Sequence, residues 1–331
     1  MPDESGKELR KIRHQLEDYS TLDPKEALSN AWNYLDHEDR FIRYAARNTL
    51  EKITPEQWQE MFYSEESAIK TIEAGIAMAR QGAKKDKGKI LDKLNQINWE
   101  GLDAQQQVDL LRNYALVFIR LGQPESQSRL DVIHKLKPYF PNSNNVINRE
   151  LAQIMLYLNA EETVKILIDL LEKHTAEKTN ISSQMLSEET TLRSEQYGPL
   201  IREVIAKMPP SEAIYYGMLL SHATEGWNKA LREKYFLWFY DVLSAKGGMS
   251  FKAYMENVRL QAMSNVPEEE KEYFEELSGV YSPSTVVENL PQPIGPGANY
   301  SGSTINQILW GDKMNNYNGT LADGERAYQA A

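Results

Sequence analysis

Cysteine is absent from all 331 residues. Within this chain that excludes a disulfide framework, a thiolate metal site, a cysteine nucleophile and covalent haem attachment through C-x-x-C-H. Long apolar runs are missing as well. No segment approaches the ~18 consecutive apolar residues of a membrane span, and residues 1–20, MPDESGKELRKIRHQLEDYS, lack the apolar centre of a signal peptide. The expectation is a soluble chain with no membrane span and no export address of its own. Positive charge is in deficit: 37 Lys and Arg against 48 Asp and Glu leave a formal net charge of −11. Phosphate backbones are bound largely through Lys and Arg, so nucleic acid is not an expected partner. What is present, 41% hydrophobic and 10% aromatic residues, suffices for one extended array or two compact domains and sets aside disorder of the whole.

Helical periods dominate the chain and β-type alternation is hard to find. The clearest stretch is LDHEDRFIRYAARNTLEKI, residues 35–53, which reads as the second helix of a HEAT-type repeat. Its acidic turn, residues 36–39, supplies the cap. Ile42, Ala45, Ala46 and Leu50 fall on one face, and Arg43 and Arg47, four residues apart, are expected to reach carboxylates on the preceding turn. Pro24 starts the helix before it and Pro55 the helix after it. Residues 65–80 place Ile69, Ile72, Ile76 and Ala79 on one face, before the basic turn QGAKKDKGK, residues 81–89. Residues 104–121 put Val108, Leu111, Ala115, Phe118 and Ile119 in one stripe, and Gly122 and Pro124 stop it. A shorter helix, 130–136, follows. Residues 148–158 and 161–171 then form a hairpin about Asn159 and Ala160, with Leu151, Ile154, Met155 and Leu158 opposite Val164, Leu167, Ile168 and Leu171. Further helices are expected at 200–208, 212–221, 228–245, 251–263 and 267–277. The fold expected is all-α: an irregular HEAT/armadillo-like helical solenoid of stacked hairpins over residues 1–280, without a strict period. Residues 281–321, rich in Pro, Gly and polar residues, form a linker or surface strap.

Candidate chemistry is thin. His14, His37, His134, His174 and His222 are scattered with no metal-ligand spacing. The paired carboxylates Glu65-Glu66, Glu161-Glu162, Glu188-Glu189 and the run 268–270 mostly fall at helix starts, where negative charge suits the helix dipole. Ser221-His222 has neither the directions nor the third group of a nucleophile and base, and reads as a helix terminus. Gly295, Gly297 and Gly302 do not make a phosphate-cradling loop. The triplets at Asn180, Asn299 and Asn318 fit the glycosylation pattern, which means little without export. The aromatics Trp227, Tyr235, Phe236, Trp238, Phe239 and Tyr240 are dense. Tyr235, Trp238 and Phe239 share one helical face and Phe236 and Tyr240 another, and burial between helices is expected over a ligand cleft. No catalytic, cofactor-binding or metal residue is marked; Arg43, Arg47, Tyr235 and Trp238 are read as structural.

The last ten residues, ADGERAYQAA, 322–331, resemble the start of the first helix of a class I cytochrome c domain, with Gly324 opening the helix and Tyr328 four residues on. Four other segments resemble the helical-repeat region of large exported bacterial haem-binding proteins, in which a sugar-dehydrogenase-like propeller, HEAT-like repeats and a terminal cytochrome c share one polypeptide. These are DRFIRYAARNTLE from Asp39, LRNYALVFIRLGQP from Leu111, LKPYFPNSNNVINRELAQIMLYL from Leu136 and GWNKALREKYFLWFYDVLSAKGGMSFKAYMENVR from Gly226. The resemblance implies a fragment of a longer reading frame: a non-catalytic scaffold segment with no cofactor in this chain. Covalent haem c, electron transfer and a periplasmic or exported location would belong to the parent protein. Partners would then be other domains of the same polypeptide. The alternatives are a free-standing HEAT-like module that binds a protein partner, and an enzyme with a site assembled from scattered polar residues.

Overall fold

A computed structural model describes residues 6–18, 21–176, 209–244 and 249–279. Every regular element among them is helical, and none is a strand. The helices are α1 (Lys7–Glu17), α2 (Pro24–Asn33), α3 (Arg40–Leu50), α4 (Gln59–Ser64), α5 (Ala68–Gln81), α6 (Lys87–Asn95), α7 (Ala104–Leu121), α8 (Ser126–Leu136), α9 (Asn145–Tyr157), α10 (Thr163–Ala176), α11 (Ser211–Leu220), α12 (Lys229–Ser244), α13 (Met249–Ser264) and α14 (Lys271–Ser278). No helix among the described residues is long and apolar enough to cross a membrane. The helices expected at 200–208, the strap from 281 and the cytochrome-like end fall outside the described residues.

Two compact units divide the chain. The first comprises Met1–Glu172 with Ala223–Asn228, the second Lys173–His222 with Lys229–Ala331. In the first unit α1 packs on α3, α3 on α5, α5 on α7 and α7 on α9, while α6 packs on α8. In these five pairs a helix lies against the one two places further on, while α2 packs on α3 and α4 on α5, their neighbours in sequence. In the second unit α11 packs on α13, and α12 on both α13 and α14.

Local chemistry explains the helix ends. The Asp39 carboxylate accepts hydrogen bonds from Phe41 N at 2.8 Å and Ile42 N at 3.1 Å, so the acidic turn caps α3 as expected. Asp103 and Gln106 form a reciprocal capping box on α7, and Gly122, at φ 88°, ends that helix in a conformation a side chain resists. Helix α9 begins at Asn145 with Asn144 as its cap, three residues before the expected start at 148, so Val146 and Ile147 lie inside it. All eight residues expected at the α9/α10 seam are buried.

The stripes differ more. On α5 Ile72, Ala74, Gly75, Ala77, Met78 and Ala79 are buried together with Thr71 and Glu73, while Ile69 and Ile76 are half-exposed. On α7 Ala115 is half-exposed and Ile119, expected in the core, is 78% exposed. Leu110, Tyr114, Val117 and Leu121 are buried in addition to the expected Val108, Leu111 and Phe118. The reason is that α7 has α5, α6 and α9 around it. Burial on three sides needs more than one apolar stripe.

Candidate functional site

Arg43 and Arg47 do not reach carboxylates on the preceding turn. They converge on Glu73 of α5: Arg43 Nε lies 3.1 Å from Glu73 Oε1, and Arg47 Nη1 2.5 Å from Oε2. The local contacts of Arg43 are to main-chain carbonyls, its Nη1 donating to His37 O at 2.9 Å and Glu38 O at 3.0 Å. Arg47 also lies 3.5 Å from Glu51, which takes two bonds from Arg80 at 2.9 and 3.1 Å. The cluster Arg43, Glu73, Arg47, Glu51 and Arg80 therefore ties α3 to α5, a structural role of the kind expected for the two arginines but across a helix interface. Every carboxylate in it faces guanidinium groups, which leaves no base poised for proton transfer.

A second set of contacts joins cations to main-chain carbonyls at helix C-termini. In α6, Lys93 Nζ donates to Glu65 O at 2.6 Å, at the end of α4, and Lys87 Nζ donates to Gln123 O, just past the end of α7. In α8, Lys135 Nζ donates to Ile97 O at 2.7 Å, just past the end of α6, and Arg129 Nη1 donates to Leu158 O at 2.8 Å, at the end of α9. The two cations are six residues apart in each helix, and the α8 pair follows the α6 pair by 42 residues. A positive charge is favoured at a helix C-terminus, and each such bond contributes about 1.5–3 kcal/mol. Burial pulls the Lys135 ammonium below the usual lysine range. Lys93→Met and Lys135→Met should each lower stability by about 2 kcal/mol in urea unfolding, and Arg129→Lys by less. Sequence reading missed this set because its acceptors carry no side-chain signal.

Glu65 does more than favour a helix start. Its Oε1 accepts from Ser67 N and Glu66 N, and its Oε2 accepts from Trp32 Nε1 at 2.8 Å. Burial pushes its carboxyl up, but these bonds and the nearby Lys70 outweigh that and hold it below the usual carboxylate range. Tyr63 goes the other way. Burial, with Asp86 and Glu60 close by, raises its phenol to about 12, and burial alone raises Tyr114 further. A raised phenol stabilises the fold fully below the unfolded value near 10 and ceases to do so as pH climbs through the folded value. Stability of the first unit should therefore begin to fall above about pH 10, with Tyr63→Phe flattening the fall between about 10 and 12. Urea midpoints measured across that range check it.

In the second unit the aromatics of α12 are buried as expected: Tyr235, Phe236, Trp238 and Phe239 are each 5% exposed or less, whereas Tyr240 is 55% exposed. Tyr235 and Trp238 stack at 6.2 Å and 11°. Tyr235 Oη donates to Gly217 O, and Phe236 meets Phe274 of α14 at 5.0 Å. Trp227 belongs to the first unit, where its Nε1 donates to Ala223 O at 2.8 Å. On α13, Arg259 holds Glu256 through two bonds of 2.9 and 2.6 Å and donates to Ser278 Oγ at 3.1 Å, all three residues being buried.

The histidines are not brought together. His37 Nδ1 accepts from Asp39 N at 3.0 Å in the cap of α3, His14 pairs with Glu17, and buried His174 stacks on Tyr216 at 5.7 Å. Ser221 Oγ donates to Met218 O at 2.7 Å beside an exposed His222, so this pair is a helix terminus. Among the described residues no group of three or more His, Asp or Glu is placed to hold a metal ion. No protein-family model, curated protein or solved structure matches the chain.

Proposed function

We propose that this chain is a non-catalytic helical-repeat scaffold, a HEAT-like solenoid whose work is contact with protein. The observation that carries the reading is the pairing of α3 with α5, α5 with α7, α7 with α9 and α6 with α8. The pair of cations six residues apart in α6 and again in α8 supports it. Stacking of each helix on the next but one is how solenoids bury a continuous core from units that cannot fold alone. The Arg43, Arg47 and Glu73 cluster and the four cation-to-carbonyl bonds join one helix to another, which is the use a scaffold has for such side chains.

In its more specific form the proposal makes this scaffold a segment of an exported, multidomain c-type cytochrome. It would position a haem domain, supplying electron transfer, and a dehydrogenase-like domain as the other parts of one polypeptide. That form rests on the resemblance of residues 39–259 and 322–331. Reading the coding sequence beyond Ala331 tests it. A C-x-x-C-H within a few codons supports a haem domain on the same polypeptide, and a stop codon sinks that form. A second reading, a free-standing module that binds a protein partner, is favoured by the exposed side chains Phe41, Tyr44, Ile119 and Tyr157 on α3, α7 and α9. Arg40 covers the Phe41 ring at 4.7 Å, leaving an apolar and cationic surface on α3.

A further inference from the structure

The charge of this chain is unevenly laid out. Residues 80–93 hold Arg80, Lys84, Lys85, Lys87, Lys89 and Lys93 against Asp86 and Asp92, four positive charges in excess in a chain of net −11. Three of these cations are committed: Arg80 to Glu51, Lys87 to Gln123 O and Lys93 to Glu65 O. Lys84, Lys85 and Lys89 are exposed and make no ion pair among the described residues. The Lys87 bond draws this basic turn to the C-terminal end of α7, where Arg120 is exposed and Ile119 is 78% exposed. An aliphatic side chain left in water in the last turn of α7, the end to which this basic turn is tied, suits a contact surface for something acidic with an apolar group of its own.

The second unit carries that chemistry. Residues 268–276 hold six glutamates and Lys271, five negative charges in excess. Lys271 neutralises Glu268 and Arg232 faces Glu270. Glu269, Glu272, Glu275 and Glu276 are exposed and make no ion pair among the described residues. Among them stands Tyr273, 42% exposed, with Lys229 4.8 Å over its ring and its hydroxyl donating to Glu233 at 2.9 Å.

We propose that the basic face at residues 84–89 and 119–120 is an interaction surface for the acidic face at residues 268–276 of a second copy of this chain. The two faces are different, so the contact is heterologous and head to tail: it adds copies in a row or closes a ring. The favoured occupant is a second copy because the complementary surface, with an exposed apolar residue to match Ile119, belongs to the same sequence. Charges on both rims steer the encounter, and salt screens it.

Sedimentation velocity of the full chain at low and high ionic strength tests the proposal. At low ionic strength the weight-average mass should rise with concentration, and it should return to the monomer when added salt shortens the screening length to about 3 Å. Lys84→Glu/Lys85→Glu/Lys89→Glu should weaken association more than about tenfold, as should Glu269→Lys/Glu272→Lys/Glu276→Lys. An equimolar mixture of the two variants should associate again, since the reversed basic face of one meets the reversed acidic face of the other. All these positions are exposed, and matching helical circular dichroism confirms the fold of each variant. A chain that stays monomeric at low salt overturns the proposal. So does association indifferent to salt or charge reversal, or a mixture of variants that stays apart.

Discussion

Replacing Arg259 by Met should lower the stability of the second unit by about 3–5 kcal/mol, and replacing Glu256 and Arg259 together by Met should return it to within about 1–2 kcal/mol of the parent. The ion pair is 7% exposed on both sides and bidentate, within one helix, and closed by the Ser278 hydroxyl. Taking two charges out of water costs several kcal/mol each, and their attraction recovers it only while both are present. The single substitution leaves the Glu256 carboxylate buried without its cation. The double one fills the same space with apolar atoms that have no desolvation cost. Urea unfolding followed by near-ultraviolet circular dichroism measures both. Equal losses in the single and double variants would mean that packing of the arginine stem, and not charge pairing, holds α13 to α14.

Gly217→Ala sets two effects against each other. In an open helix the substitution gains about 1 kcal/mol from backbone entropy. Here a Cβ on residue 217 would lie 2.1, 2.4 and 2.9 Å from Cη2, Cζ3 and Cζ2 of Trp238. That indole is a rigid ring, stacked on Tyr235 and set edge-on to Phe239 at 5.1 Å. It cannot turn away without moving the aromatic core, and overpacking of this kind costs about 1–3 kcal/mol or more. The clash wins, with an expected net loss of about 2 kcal/mol. Trp238→Leu is itself destabilising by about 3 kcal/mol through the volume it removes. Combined with Gly217→Ala it should restore the helical gain, so the two changes couple by about 2–3 kcal/mol in a double-mutant cycle. Additive losses would show that the indole does not depend on the missing side chain at 217.

Much of this could be read from the sequence, and the exceptions have physical causes. The acidic cap of α3 and its buried face, Ile42, Ala45, Ala46 and Leu50, were legible because both are local properties, although the helix ends at Leu50, short of the 35–53 stretch. So was the burial of Tyr235, Trp238 and Phe239, since three large aromatics on one helical face have nowhere cheaper to go than a core. The partners of Arg43 and Arg47 were not. Their reading as structural residues stands, but Glu73 lies 30 and 26 positions away in sequence, and which helix comes to rest beside α3 is settled by packing. Ile119 marks a different limit. Helix α7 is apolar on more than one side because it has three neighbours, so spacing alone offers several stripes and does not rank them. The basic turn at 81–89 was plain as composition, yet its tie to the C-terminal end of α7 rests on the bond of Lys87 to Gln123 O.

The carbonyl acceptors have a consequence for how such a chain drifts. Glu65, Ile97, Gln123 and Leu158 receive a cation at the main chain, and no single side-chain property is common to the four. The bond asks for a peptide group in the right place and nothing of the residue that carries it. Half of each joint is therefore written in no letter of the sequence, and the other half needs only one long cation. Two chains joined in this way could keep the same joints while agreeing at little beyond two basic positions per helix and an apolar period.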